Sequence, residues 1–223
     1  MRYFSSDFHI NHRNVIPYCA RPFASVEDMN VAIVKLLNDT LKPGDTLYFL
    51  GDLSLNPKWS GWLMPQIPKG VEYIMIPGNH DSCFSFPTRQ GPKHEKMLAK
   101  YLADGWSAIH QELTLTLKNG MNVLMAHMPY APKEEGYDVR YLELRPKDQG
   151  MTLLHGHAHG YYKKNGRMID VGVDAHDFKI LSEDDVIALI NDERQFIGTS
   201  ITEHYKIRRA TEPPRTNMKG SPK

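Results

Sequence analysis

Five of the chain's eleven histidines, His9, His80, His127, His157 and His159, stand just past short apolar runs. They keep polar company. Asp7 sits two residues before His9, and Gly51-Asp52 closes a second apolar run. Gly78-Asn79-His80-Asp81 closes a third with only Pro77 between, and Gly156-His157-Ala158-His159 carries two imidazoles at alternate positions. Imidazole offers a neutral nitrogen, Asp a hard anionic oxygen and Asn an amide oxygen. Such a mixed shell suits Mn²⁺, Fe, Zn²⁺ or Ni²⁺ better than Ca²⁺ or a thiolate site. Residues two apart at a strand end face the same side, so Asp7 pairs with His9, and His157 with His159. With Asp52, Asn79 and His127 they make seven potential ligands, too many for one tetrahedral ion and suited to two. An Asp has two oxygens and can bridge both. Two ions roughly 3.5–4 Å apart clamp a phosphate and acidify a shared water, whose hydroxide attacks phosphorus in line. A cation-rich pocket stabilises the charge that grows on the phosphoryl oxygens. The leaving alkoxide then needs a proton, and His80, kept charged by Asp81 beside it, is the candidate general acid.

These groups need rigid supports. Arg2–Ser6, Thr46–Leu50 and Val71–Ile76 read as strands that run straight into Asp7, Asp52 and Asn79. Between the first two, Ser25 is a helix N-cap with Asp28 three residues on, and Val26, Met29, Ile33, Leu36 and Leu37 recur at helical spacing. Lys93–Ala103 reads as a helix stopped by Gly105. Leu113–His127 reads as a hairpin around a type I′ turn at Asn119-Gly120, its second strand ending in His127. Thr152–Gly156 and residues 167–173 are further strands, and Ser182 caps a last helix through Val186 and Ile190. Strands interleaved with helices, then hairpins, predict a layered α/β fold with a mixed sheet or two packed sheets. In such folds polar groups at the C-terminal strand ends line a crevice. Residues 1–204 form the expected domain, and 205–223 a basic, Pro-rich tail.

The ordered set Asp7-x-His9, Gly51-Asp52, Gly78-Asn79-His80-Asp81, His127 and Gly156-His157-Ala158-His159 resembles the calcineurin-like metallophosphoesterase superfamily, over residues 1 to 176. "SDFHINHRNVIPYCARPF" and "DVGVDAHDF" are similar to small bacterial and phage members that define a class of reaction rather than a substrate. The resemblance implies two packed mixed β-sheets flanked by helices. It implies one ion on Asp7, His9, Asp52 and His159, a second on Asp52, Asn79, His127 and His157, and a contact between His80 and the substrate phosphate.

Composition bounds the rest. The chain has 223 residues, 41% hydrophobic and 24% charged, enough for one domain with a real core. Its formal charge of +1 argues against a broad nucleic-acid or membrane surface. Two cysteines make no disulfide framework. No apolar run approaches the ~18 residues of a membrane span, and no signal peptide is read at the N-terminus. The expectation is a cytoplasmic phosphodiesterase or phosphatase using two divalent ions, Mn²⁺ by preference, on a small nucleotide-like substrate. A silent scaffold binding a protein partner, or a nuclease on nucleic-acid ends, is the alternative.

Around the ligands several residues carry two readings. His12, Arg21, Asn79 and Arg140 are candidate substrate contacts, Arg being suited to bidentate phosphate binding; Arg21 equally suits a salt bridge. Residues 128–149, with Tyr130 and Tyr141, read as a substrate lid or a solvated connection. Trp59 and Trp62 read as packing, Cys83 as a small buried side chain, and Asp170 and Asp174 as partners of ligand histidines or as turn residues.

Overall fold

The computed structural model describes residues 1–87, 90–131, 141–194 and 196–197. Its strands, numbered in chain order, form two sheets. In the first, β1 (Arg2–Ser5), β2 (Thr46–Phe49), β3 (Glu72–Met75) and β4 (Ala108–Ile109) run parallel, and β10 (Leu181–Ser182) joins antiparallel beside β1. The second comprises β5 (Leu113–Thr116), β6 (Asn122–Met125), β7 (Thr152–His155), β8 (Tyr162–Asn165), β9 (Met168–Asp170) and β11 (Phe196–Ile197). Their order is β11-β8-β9-β7-β6-β5. Here β6, β7 and β9 are parallel, while β5, β8 and β11 pair antiparallel. Two packed mixed sheets flanked by helices are thus the observed architecture.

Period-two alternation builds the layers. Phe4, Tyr48, Leu50, Ile74 and Ile76 of the first sheet meet Val123, Met125, Leu154, Ile169 and Val171 of the second, forming the core between the sheets. The intervening residues Leu47, Phe49, Tyr73 and Met75 point the other way, onto Met29, Ile33 and Leu37 of the helix Val26–Thr40 and onto Leu63, Tyr101 and Trp106. A central parallel strand buried on both faces must be apolar throughout, which is why TLYFL and YIMI read as unbroken runs. Trp59 and Trp62 meet edge to face and pack against that helical layer, and Cys83 is buried in it.

The predicted helix starts hold. Ser25 accepts the Asp28 amide at 3.1 Å, and Ser182 forms a capping box with Asp185 at the head of the helix Glu183–Asn191. The hairpin turn differs. Asn119 does not take positive φ, which a type I′ turn requires; Gly120 does (φ 84), its amide bonding Leu117 O at 2.8 Å. Three residues therefore join Leu117 to Met121, with the left-handed glycine at the end of a type I-like turn. Arg140, Tyr137 and the tail 205–223 lie outside the described residues. No helix among the described residues is long and apolar enough to cross a membrane.

Candidate metal centre

Parallel pairing brings the C-terminal ends of β1, β2 and β3 side by side, and the turns beyond them stay in register. The Asp7 amide bonds Gly51 O at 2.9 Å, and the His9 amide bonds Asp52 O at 3.0 Å. The second sheet arrives at the same place. Ser6 bridges Gly172, and the Gly156 amide bonds His127 O at 3.1 Å, so β1, β6, β7 and β9 all deliver their ends to one crevice. Two glycines make this approach feasible. A Cβ on Gly78 would lie 2.2 Å from Asp52 Oδ1, and one on Gly156 would lie 2.5 Å from Asp7 Oδ2. The glycines of the Gly-Asn-His-Asp and Gly-His-Ala-His motifs are contacts between neighbouring ligand turns.

Five of the seven expected ligands have left-handed backbones: Asp7 (φ 61), His9 (φ 50), Asp52 (φ 57), His157 (φ 69) and His159 (φ 49). Each such residue costs on the order of 1–3 kcal/mol and persists only where its surroundings hold it. The result is two clusters of converging donors, Asp7/His9/His159 and Asp52/His127/His157, whose donor atoms lie within 4.8 Å of one another in each cluster. Between them stands Asp52. Its Oδ2 is 3.5 Å from His9 Nε2 and 3.5 Å from His127 Nε2. His159 Nε2 is 3.8 Å from Asp7 Oδ1, and Asn79 Oδ1 is 3.1 Å from His157 Nδ1.

Do these residues fit metal ions? His9 Nε2 and His127 Nε2 are buried with no hydrogen-bond partner, a costly condition for a polar atom. Donors about 2.1 Å from a common ion sit roughly 3–3.5 Å apart, too far to bond one another well. Buried imidazoles facing a shared carboxylate at 3.5 Å match that spacing, so the donor set fits. Two of the ligand rings are anchored through their other nitrogen: His127 Nδ1 meets Leu50 O at 2.7 Å, and His159 Nδ1 meets Asp174 Oδ2 at 2.8 Å. Such partners fix tautomer and ring orientation.

Electrostatics agrees. Burial holds His9 well below the usual imidazole range, leaving one ring nitrogen with a free lone pair. Burial also disfavours charge on Asp52 and His127, yet their mutual attraction wins. Asp52 is held well below the carboxylate range, and His127 is pushed up to about 9. A divalent cation held by these groups would take the place of that proton. Burial opposes charge on His159 too, but neighbouring Cys19, Asp7 and Asp174 raise it.

Other expectations are redrawn. Asp81 does not orient His80. Its carboxylate accepts the amides of Asp52 (2.7 Å), Gly78 (2.8 Å) and Leu53 (3.0 Å), and burial with the nearby Asp52 charge raises it to about 7. Adjacent side chains diverge here: Asp81 points into the protein, while the His80 side chain is 42% exposed at the rim, Nε2 3.9 Å from Asp52 Oδ2. Arg21 is not a substrate group either. It is buried, and all its N–H groups are engaged by Asp174, Asp7 O, Phe8 O and Met29 Sδ, so the salt-bridge reading holds. His12 stays beside the centre, its ring 5.5 Å from that of His9, with Nδ1 buried and unpartnered. Asp174 is a partner of His159, as one reading had it, and Asp170 binds the amides of Gly160 and Gly172. Three neighbours escaped sequence reasoning: Ser6, whose hydroxyl donates to Asp7 at 2.5 Å; Cys19, near His159 and Asp174; and the placement of Tyr141, left-handed (φ 59) with its ring 6.4 Å from that of His157. Nothing in their sequence context marks the first two.

The family model described as calcineurin-like phosphoesterase matches residues 3–181. An uncharacterised protein of Methanocaldococcus jannaschii is 27% identical over 84% of this chain and 90% of its own. The gene 66 protein of Mycobacterium phage D29 is 29% identical over 85% of this chain and 96% of its own. A crystal structure of a protein of unknown function from Aquifex aeolicus superposes with a TM-score of 0.59 at 27% identity, covering 85% of this chain and 99% of that one.

Proposed function

The chain belongs to the calcineurin-like phosphoesterase family, and from that premise we propose that it is a two-metal hydrolase of phosphate esters acting on a small, nucleotide-like substrate. Asp7, His9, Asp52 and His159 would hold one ion, and Asp52, Asn79, His127 and His157 the other. The observation that carries this reading is Asp52 Oδ2 lying 3.5 Å from two buried imidazole nitrogens that have no hydrogen-bond partner. When bound, divalent ions supply polarisation of the phosphoryl oxygens and an attacking water acidic enough to act near neutral pH. Mn²⁺ is the preferred ion for this N/O shell, with Fe, Zn²⁺ or Ni²⁺ as alternatives.

The chain's own groups do the remainder. His80 stands at the exposed rim beside Asp52, where an imidazole can hand a proton to a leaving oxygen. Its backbone amide donates to Asp52 Oδ1 at 2.9 Å, which ties His80 to the carboxylate that would serve both ions. Asp81 keeps the Asp52 and Gly78 turns together by accepting their amides. His12, its ring 5.5 Å from that of His9, is a described side chain placed to contact substrate. A net charge of +1 offers no steering field for a long polyanion, which supports a small substrate over a polymer.

The test pairs metal content with hydrolysis. Protein stripped of metal and reloaded with Mn²⁺ is assayed on bis-p-nitrophenyl phosphate and p-nitrophenyl phosphate. About two ions per chain with turnover is the expected result, and the faster substrate separates diesterase from monoesterase action. A chain that binds no divalent ion overturns the reading.

A further inference from the structure

We propose that Arg21 is a positioning residue for one half of the metal centre: it locks the Asp7–His9 turn to the His159 ring, and through that lock sets how tightly this half keeps its ion. The inference rests on the two-metal reading and extends it, because Arg21 itself contacts neither ion nor substrate.

Three sets of contacts carry it. Arg21 Nε and Nη2 each donate to an Asp174 oxygen at 2.8 Å, a two-pronged pair of the strong kind. The same guanidinium donates to Asp7 O at 2.6 Å and Phe8 O at 2.9 Å, inside the turn where Asp7 and His9 are left-handed. Asp174 in turn accepts from His159 Nδ1 at 2.8 Å, which leaves His159 Nε2 facing Asp7 Oδ1 at 3.8 Å. One buried cation thereby connects a turn of the first sheet to a ligand of the second. Phe178 lies 5.1 Å from the guanidinium and confines it.

Removing the cation has two consequences. The carbonyls of Asp7 and Phe8 lose their donors in a strained turn, and the Asp174 carboxylate is left buried with His159 as its remaining side-chain partner. Both changes bear on the Asp7/His9/His159 cluster. The other cluster is held differently: His127 by Leu50 O, and the Asp52 and Gly78 turns by Asp81. No arginine or lysine ion pair among the described residues reaches it. Loss of Arg21 should therefore weaken one ion and spare the other.

The experiment loads wild type, Arg21→Met, Arg21→Lys and Asp174→Asn with Mn²⁺. Metal retained per chain is then measured against rising EDTA, and the paramagnetic resonance spectrum is recorded. The expected wild type keeps both ions, with the signal of a coupled pair. Arg21→Met and Asp174→Asn should release one ion with roughly 10–100-fold weaker affinity and show the signal of an isolated Mn²⁺. Arg21→Lys restores the charge without the fork and should fall between. If Arg21→Met fails to fold, the near-isosteric Asp174→Asn carries the test. Two outcomes overturn the proposal: both variants hold two ions at wild-type strength, or both ions weaken together in step with thermal stability. A wild type that binds no Mn²⁺ sinks the two-metal reading beneath it, which the wild-type titration alone reveals.

Discussion

The two ends of the sandwich treat charge in opposite ways. At the N-terminal ends of the first sheet's parallel strands, the charged groups find partners. The Met1 amine meets Asp45 at 2.7 Å, Arg2 grips Glu183 with two nitrogens, and Lys118 meets Asp184. At the C-terminal ends, His9 and His127 keep buried nitrogens with no hydrogen-bond partner, and five of the expected ligands hold left-handed backbones. The first end behaves as ordinary protein surface. The second tolerates unmet polar groups that cost about 1–3 kcal/mol each. A fold keeps such costs where something binds, so the contrast itself separates scaffold from site.

The sharpest way to break that contrast is at Asp52, whose Oδ2 lies 3.5 Å from an imidazole nitrogen of each cluster. Asp52→Asn should lower hydrolysis at least roughly a thousandfold and reduce metal content, because an amide cannot serve two cations as a charged bridge. Full activity in metal-loaded Asp52→Asn protein would show that the two clusters do not act as one centre. His80→Ala should cost less, on the order of a hundredfold in turnover. Metal content should stay at the wild-type level, since His80 belongs to neither cluster. Metal loss in that variant would assign His80 to the ligand set.

Much of the second end was legible because its signals are local. A strand of alternating inner and outer apolar residues must end somewhere, and Asp7, Asp52, Asn79 and His127 stand at those ends. The errors came from contacts that chain order does not reveal. Asp81 follows His80 directly, yet successive side chains diverge, and Asp81 turns inward to amides of Asp52 and Leu53. Arg21 suited a phosphate by chemistry, but its carboxylate is 153 positions away, brought close once β9 pairs into the second sheet. The left-handed ligands were unreadable for a related reason. Asp and His tolerate that region better than most residues, but the ligand turns from two sheets impose it. The hairpin turn missed for want of one residue: Asn-Gly names type I′ only when two residues connect the strands.

Metal removal probes the same contrast as a stability difference. An ion supplied at a hundred times its dissociation constant stabilises by about 2.7 kcal/mol, which for a chain of this size is a rise of roughly 5–10 °C in Tm. Stripped protein should lose that increment, and Mn²⁺ should restore it. Asp52→Asn should respond weakly to added metal, and an equal rise in wild type and variant would trace the effect to ions bound elsewhere.

The smallest effect is expected at the first end, and that is its value. The Lys118 and Asp184 side chains are 52% and 67% exposed, so solvent screens their pairing and its ordering costs side-chain entropy. Lys118→Ala should change unfolding free energy by less than about 1 kcal/mol. Hydrolysis and metal content should not change, since none of the catalytic contacts passes through this end. Denaturant midpoints and the phosphodiester assay, run side by side, measure both quantities. A charge-pair variant here that halved turnover would mean the two ends are coupled through the parallel strands joining them. Unchanged turnover alongside an inactive Asp52→Asn would locate the whole functional demand at the ends where histidine nitrogens are buried without hydrogen-bond partners.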